Sequence, residues 1–236
     1  MTKRRVVITD ASVVTAAGIG KKDFFRNLSN GVSGIRPIQR FETSYLATKQ
    51  GGEVNLSNLV LPPTIPGRKP WDRISDTKGV LAWNALLQIS NSIPSDAAFF
   101  SAVGLERVSV DDLIKSIPRA SMVCPEVPPT VLSGLLWRLL GLQGPVSTQV
   151  TACAAGTIAI GAAMRAIRRG RFECAVAGGV DSLIFPYGIH SFNSLDALSE
   201  RNDLGPAALS PFDLNRSGTL LGEGAAYLVL EEASFA

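Results

Sequence analysis

Cys153 is the residue whose type and position could do the most chemistry in this chain. It lies in Thr151-Ala-Cys153-Ala-Ala-Gly156, where a strand-like segment gives way to a helical one. The unpaired N–H groups and the dipole at a helix start favour a thiolate. The pattern therefore makes Cys153 a candidate nucleophile, in a chain with a single histidine, His190.

The sequence also leaves a structural interpretation of the cysteines open, because free cysteine is often a small buried hydrophobe. Cys124, near prolines, and Cys174, entering an apolar run, fit that interpretation better than Cys153. No two cysteines have the spacing of metal ligands, so we expect no zinc site. Three cysteines cannot all pair within one chain, which favours a reduced, cytoplasmic protein.

The elements that must position Cys153 alternate between strand and helix. Before the cysteine, residues 146–150 read as a short buried strand, and after it residues 154–169 read as a helix that ends at Gly170. Such alternation predicts an α/β layered fold with a largely parallel sheet. The other predicted strands are 5–8, 97–103, 174–177 and 225–231, and the other predicted helices are 21–29, 74–89, 110–117 and 130–140.

Composition limits the classes of function. The chain has 236 residues, 46% of them hydrophobic, which is enough to bury a sizeable core. No apolar run is long enough to span a bilayer, and the first residues lack a secretory signal. The net charge of +3 is mild, and the basic residues are not interleaved with aromatic ones, so nucleic-acid binding is disfavoured.

Several separate motifs stand in order along the chain: Thr151-Ala-Cys-Ala-Ala-Gly-Thr157, Ala166-Ile-Arg-Arg-Gly170, Ala177-Gly-Gly-Val-Asp181, Leu195-Asp-Ala-Leu-Ser199, Ser210-Pro-Phe-Asp213 and Arg216-Ser-Gly-Thr-Leu-Leu-Gly-Glu-Gly-Ala225. Together they resemble the N-terminal half of β-ketoacyl-acyl-carrier-protein synthases (ketosynthases). The resemblance covers nearly all of the chain and is loosest over residues 51–122.

The resemblance implies a thiolase-like layered α/β/α fold, mainly the N-terminal half of the duplicated ketosynthase architecture. Residues 1–236 would form its nucleophile-bearing domain. Cys153 would accept an acyl group from a carrier-protein thioester, and its backbone N–H would be one donor of the oxyanion hole. Malonyl-carrier protein would then lose carbon dioxide, and its carbanion would attack the acyl thioester. The resemblance implies no cofactor, and we expect no metal ion.

The second step needs groups that the sequence lacks. The family uses two histidines and a lysine from its second half, and we expect that half to be absent here. His190 matches a family position that is not one of these histidines, and we interpret it as a loop or surface residue. The chain would therefore carry the nucleophile but need a separate half for condensation.

Two further site predictions follow from the resemblance. Thr219 replaces a phenylalanine that many members have near the nucleophile, which implies a change in the acyl pocket or simple divergence. Arg68 and Lys69 match the region where the family docks the acidic acyl carrier protein, although a solvated basic loop remains an equal alternative. The resemblance also implies a homodimer or a heterodimer with a ketosynthase subunit.

Three functions remain open at this point. The chain could be an acyltransferase of fatty acid or polyketide biosynthesis that lacks its second half. It could instead be a non-catalytic partner that resembles chain-length-factor subunits, although such partners typically lose the cysteine. It could also be an inactive truncated ketosynthase.

Overall fold

The computed structural model describes residues 4–63, 77–104 and 130–236. Five predictions lie outside them: the helix at 110–117, the start of the helix at 74–89, Cys124, Arg68 and Lys69. The described residues divide into two compact units, and three segments make up the first of them, Met1–Ser12, Val60–Asp181 and Ala226–Ala236. The second unit comprises Val13–Leu59 and Ser182–Ala225.

The strands are β1 (Val6–Thr15), β2 (Gly18–Ile19), β5 (Ala98–Val103), β6 (Val146–Gln149), β7 (Cys174–Asp181) and β8 (Gly224–Glu232), while β3 (Arg36–Pro37) and β4 (Gln50–Gly51) form a separate antiparallel pair. The central sheet is mixed and has the strand order β2-β1-β8-β7-β5-β6. Strands β5, β6 and β7 are parallel, with Ala102 of β5 paired to Gln149 of β6 and Gly179 of β7. This confirms the predicted parallel arrangement for these three strands, whereas β1 and β2 pair antiparallel.

Five α-helices are described: α1 (Lys21–Ser29), α2 (Thr77–Leu87), α3 (Thr130–Leu139), α4 (Ala155–Arg168) and α5 (Pro186–Asn193). Four of them lie where the sequence predicts helices. The fifth, α5, falls in a segment that we did not assign to a helix. Its signal is Pro186 at the first helical turn, a position where the missing N–H of proline carries no penalty.

Helix α4 packs on β5 and β7 in the first unit. Its buried face consists of Ala155, Ala159, Ala163 and Ile167, which recur every four residues as one face of a helix requires. Ile167 and Ala163 of this face belong to a hydrophobic core that also contains Ala98, Ala175, Ala177 and Leu230. Small residues on the strands and on the helix let the two backbones approach closely.

The end of α4 is fixed by a left-handed glycine. Gly170 has φ 71°, its N–H donates to Ile167 O at 2.8 Å, and the N–H of Arg171 donates to Ala166 O at 3.1 Å. This pair of bonds satisfies carbonyl groups that the helix end would otherwise leave free. The predicted helix stop at Gly170 is confirmed.

In the second unit, the core is formed by Ile38, Leu46, Ile184, Ile189 and Leu198. The segment 199–224 contains a 3₁₀ segment, Asn202–Ala208, interrupted by a kink at Gly205. In the described part of the chain, no helix is long and apolar enough to cross a membrane.

Candidate active site

Cys153 lies on a tight turn between β6 and α4. The strand ends at Gln149, residues Ala152–Ala154 form one 3₁₀ turn, and α4 begins at Ala155. The cysteine therefore lies in the turn before the α-helix and is not the first residue of that helix. The cysteine is free and exposed. Sequence analysis predicted the junction but not the exposure, and the role of Cys153 remains a prediction.

The turn is strained at the residue before the thiol. Ala152 has φ 48°, a left-handed conformation that costs an L-residue with a Cβ atom about 1–2 kcal/mol. A bond from Ala154 N–H to Thr151 O at 3.2 Å closes the turn. Backbone strain of this kind persists only where the surrounding structure holds it.

The start of α4 holds that turn in place. Ala155 and Ala159 pack with Ala102 of β5 and with Phe100, so the first helical turn is anchored to the sheet. Ala154, at the N-cap position of α4, has no side chain that could cap the helix. The first N–H groups of α4 therefore have no capping side chain as a hydrogen-bond partner. These groups concentrate partial positive charge beside the turn that carries Cys153.

The other described cysteine has the opposite environment. Cys174, the first residue of β7, is buried and free. Burial, together with the nearby charges of Glu231 and Asp96, raises the pKa of its thiol to about 12. A thiol of this kind is unreactive at neutral pH, which agrees with the structural interpretation of Cys174.

An ion pair between a buried lysine and a half-exposed aspartate lies at the carboxyl end of β7. Lys78 Nζ is 3.0 Å from Asp181 Oδ1, and the lysine side chain is only 9% exposed. The Asp181 carboxylate lies against Gly104, at the end of the neighbouring strand β5, where a side chain would collide with it. The lack of a side chain at Gly104 thus makes room for the pair. Sequence analysis missed it because Lys78 and Asp181 are far apart in the chain.

Thr219 belongs to the second unit. Its N–H donates to Ala197 O and its carbonyl accepts from Ser199 N–H, both at 2.9 Å, so its backbone is fixed while its side chain is exposed. Cys153 belongs to the first unit. His190 is exposed on α5, as the surface interpretation predicted.

The family model described as "Beta-ketoacyl synthase, N-terminal domain" matches residues 3–236. The chain belongs to the β-ketoacyl synthase family. This ketosynthase-family chain is 33% identical to 3-oxoacyl-[acyl-carrier-protein] synthase 2 of Synechocystis sp., over 98% of its own length and 58% of that relative.

Two solved structures extend the comparison. A β-ketoacyl synthase from Burkholderia phymatum matches with a TM-score of 0.76 and 27% identity, over 99% of the chain and 60% of that structure. A structure described as a type II PKS acyl-carrier protein in complex with its ketosynthase matches with a TM-score of 0.68 and 28% identity. The match covers 99% of this chain and 59% of the matched chain. The predicted thiolase-like fold is confirmed, and the chain spans about three fifths of the length of these relatives.

One charged cluster in this ketosynthase-family chain went unnoticed in the sequence. The Glu223 side chain is fully buried and pairs with Arg40, whose guanidinium donates to both of its carboxylate oxygens at 3.0 and 2.5 Å. Ser182 Oγ and the N–H of Val54 donate to the same carboxylate at 2.6 and 2.8 Å.

Burial by itself would lower the pKa of Arg40. The hydrogen bond to Glu223 and the charges of Glu223 and Glu53 outweigh this effect, so the pKa of Arg40 is raised. The glycine-flanked Glu223, in Gly222-Glu-Gly224, was the available signal for this cluster, because an acidic residue between two small ones can be enclosed by neighbouring backbone.

Proposed function

We propose that this chain performs the acyl-accepting step of a 3-oxoacyl-acyl-carrier-protein synthase of fatty acid or polyketide biosynthesis. The observation that carries the proposal is the exposed Cys153, held on a strained turn at the start of α4, in a chain of the ketosynthase family. In the first step the Cys153 sulfur attacks the carbonyl carbon of an acyl-carrier thioester. A new thioester forms at Cys153, and the carrier thiolate leaves and takes up the proton that the cysteine lost.

The Cys153 backbone N–H would stabilise the oxyanion of that step. The second step, attack on the acyl-cysteine by the carbanion that decarboxylation of malonyl-carrier protein generates, needs a proton donor and further oxyanion donors. We propose that the remaining part of a ketosynthase, which carries two histidines and a lysine, supplies them. Exposed apolar side chains of the second unit would suit such packing, the most exposed being Phe25, Leu195, Phe212 and Leu214.

The test of the acyl-accepting step is intact-protein mass spectrometry after incubation with an acyl-carrier thioester. We expect the mass of one acyl group to be added to the wild-type chain and to Cys174→Ala, and no addition to Cys153→Ala. The Cys174 variant is the matched control because it removes the other described thiol. If neither the acyl donor nor a thiol-directed ketosynthase inhibitor modifies Cys153, the chain is a non-catalytic partner or an inactive ketosynthase.

An acyl carrier protein is the partner that this proposal requires. We propose that Arg68 and Lys69 contact its acidic surface, and that the chain works in the cytoplasm as a homodimer or as a heterodimer with a ketosynthase subunit. Charge reversal of both residues should weaken carrier binding at least about tenfold. Arg36→Glu combined with Arg138→Glu makes the same charge change at two exposed arginines and should leave the affinity nearly unchanged.

We also propose that Thr219 contributes to the acyl pocket, where its small side chain would leave room for a larger acyl group than phenylalanine would. Thr219→Phe should lower the yield of acyl-Cys153 with long acyl groups more than with acetyl. Thr219→Ser, which keeps the hydroxyl, is the control. Equal yields with both acyl groups in the phenylalanine variant would exclude the role.

A further inference from the structure

A dense group of arginines surrounds the carboxyl end of α4. Four come from the end of the helix and the residues after it, and two come from the residues just before β1. All six are exposed, and we call them the arginine patch: Arg4, Arg5, Arg165, Arg168, Arg169 and Arg171.

Three contacts join the segments of the patch. The Arg4 guanidinium lies over Gly170, since a side chain there would place its Cβ 3.4 Å from Arg4 Cζ. Arg5 O accepts from the N–H of Ala233, and Glu173 O accepts from the N–H of Glu232, so the start of β1, the start of β7 and the end of β8 meet beside the end of α4. The arginines therefore share one surface.

The helix dipole accounts for only part of this charge. Cations in the last turn of a helix are stabilised by the partial negative charge of its free carbonyl groups. Arg165 and Arg168 lie in the last turn of α4, but Arg4, Arg5 and Arg171 lie outside the helix. Among the described residues, none of the six arginines has a carboxylate within ion-pair distance. The six guanidinium groups are thus left without an ion pair in the described part of the chain, and all six residues are exposed.

The patch and Cys153 lie at opposite ends of α4. The helix has 14 residues, which at about 1.5 Å per residue separates its ends by about 20 Å. The strands agree with this, because β6 leads to Cys153 at the carboxyl edge of the parallel strands, whereas β7 begins next to the patch at their amino edge. A partner on the patch would leave the thiol uncovered.

We propose that the arginine patch binds the acidic surface of a second protein, which is distinct from the carrier that delivers an acyl group to Cys153. Guanidinium groups present a planar fork of donors that matches carboxylates. Glu173, Glu231 and Glu232 lie along the same edge and would repel a uniformly negative nucleic-acid backbone, but they can be matched by a protein of mixed charge.

A membrane surface fits the patch less well. Peripheral membrane binding needs apolar side chains that enter the lipid alongside the cations. Here the neighbouring Val6, Ile167 and Phe172 pack inward against the core of the first unit. The proposal does not depend on the acyltransferase reaction, because it concerns a surface remote from the thiol.

The test measures the binding of a fluorescent acidic peptide of about twenty residues, in which glutamates are interspersed with a few lysines, by anisotropy at low and at physiological salt. We expect the Arg168→Glu, Arg169→Glu double variant to lose about tenfold or more in affinity, and the milder Arg168→Gln, Arg169→Gln variant to lose less. Arg36→Glu combined with Arg138→Glu is the matched control, since Arg138 also ends a helix and the net charge changes equally. The control should stay within about twofold of wild type.

Three results would overturn the proposal. The first is an equal loss in the control variant, which would mean that the binding follows net charge rather than the patch. The second is tighter binding of an oligonucleotide duplex of equal charge, and the third is tighter binding of phosphatidylserine vesicles. Circular dichroism checks that the variants are folded. The rate of Cys153 alkylation should be the same in all of them, so failure here is distinguishable from failure of the proposed acyl transfer.

Discussion

At the scale of single residues, the two described cysteines should differ sharply in reactivity. Cys153 is exposed on its turn, whereas Cys174 is buried and its pKa is raised to about 12, so the Cys174 side chain stays a thiol at pH 8. We expect iodoacetamide to add one carboxamidomethyl group to the folded Cys124→Ser variant, at Cys153, and a second only in urea. Peptide mapping identifies the site, and labelling of folded Cys174 would contradict the assignment.

The buried thiol also makes stability depend on alkaline pH. The folded pKa of Cys174 lies above its ordinary value of 9.0, so the unfolded chain loses this proton before the folded one does. The free energy of unfolding should therefore fall as the pH rises from about 9 to about 12. Urea unfolding at pH 8 and pH 10 measures the fall, and Cys174→Ala should reduce it. An identical pH dependence in that variant would show that other groups cause it.

Ala152 sets the geometry of the nucleophile turn, and its φ of 48° gives a testable asymmetry between substitutions. Ala152→Gly removes the left-handed penalty of about 1–2 kcal/mol but adds entropy to the unfolded chain, so Tm should change little. Ala152→Val should destabilise the chain by at least about 2 kcal/mol, because a β-branched residue tolerates this conformation poorly. Thermal unfolding compares the two variants, and an unaffected valine variant would mean that the turn relaxes.

At the scale of elements, one tyrosine of β8 contacts β5, a strand that is not its neighbour in the sheet. Tyr227 of β8 is fully buried, stacks on Phe99 of β5 and shares a hydrogen bond of 3.0 Å with Ser101 Oγ of β5. Strand β7 lies between β8 and β5, and Gly178 of β7 is paired with Ser101. The tyrosine crosses β7 at this glycine, where an added Cβ would lie 2.6 Å from Tyr227 Cα.

A double-mutant cycle tests this crossing. Ser101→Ala leaves the Tyr227 hydroxyl buried without its partner and should cost about 1–3 kcal/mol. Adding Tyr227→Phe should cost less than the sum of the two single changes, because both polar groups are then removed. Urea unfolding provides the free energies. Strict additivity would mean that the hydrogen bond is not coupled.

Gly178→Ala in the same strand should cost about 3 kcal/mol, because the methyl group meets backbone atoms of β8 that cannot move independently. Gly134→Ala is the matched control, since an added methyl group there meets nothing within 4 Å. Comparable losses of stability in the two alanine variants would argue against the close approach of the strands.

The same elements show what a sequence alone can predict. Periodicity, a glycine stop and the run of β-branched residues placed β6, α4 and the Cys153 junction to within one or two residues, because these signals are local. The crossing of Tyr227 over Gly178, the Lys78–Asp181 pair and the enclosure of Glu223 join segments that are far apart in the chain. No local pattern encodes such contacts, and α5 was missed because its eight residues carry little periodicity.

At the scale of the whole molecule, the apolar side chains left exposed in the second unit should determine how the isolated chain behaves in solution. Phe212 is 100% exposed and Leu214 is 92% exposed, although both are large hydrophobic residues. Exposed apolar groups of this size promote association. We therefore expect the isolated chain to bind a hydrophobic dye and to self-associate as its concentration rises.

Replacing Phe212 and Leu214 with serine should reduce dye binding and self-association while Tm stays nearly constant, because no buried contact is lost. Leu220→Ser is the matched contrast, since Leu220 lies in the same segment and is only 8% exposed. It should lower the free energy of unfolding by about 3 kcal/mol, from the lost apolar burial. Dye fluorescence and sedimentation velocity measure the first effect, and thermal unfolding measures the second. If the double variant binds as much dye as wild type, other apolar surfaces must cause the association, and the proposed packing site for a second half must lie elsewhere.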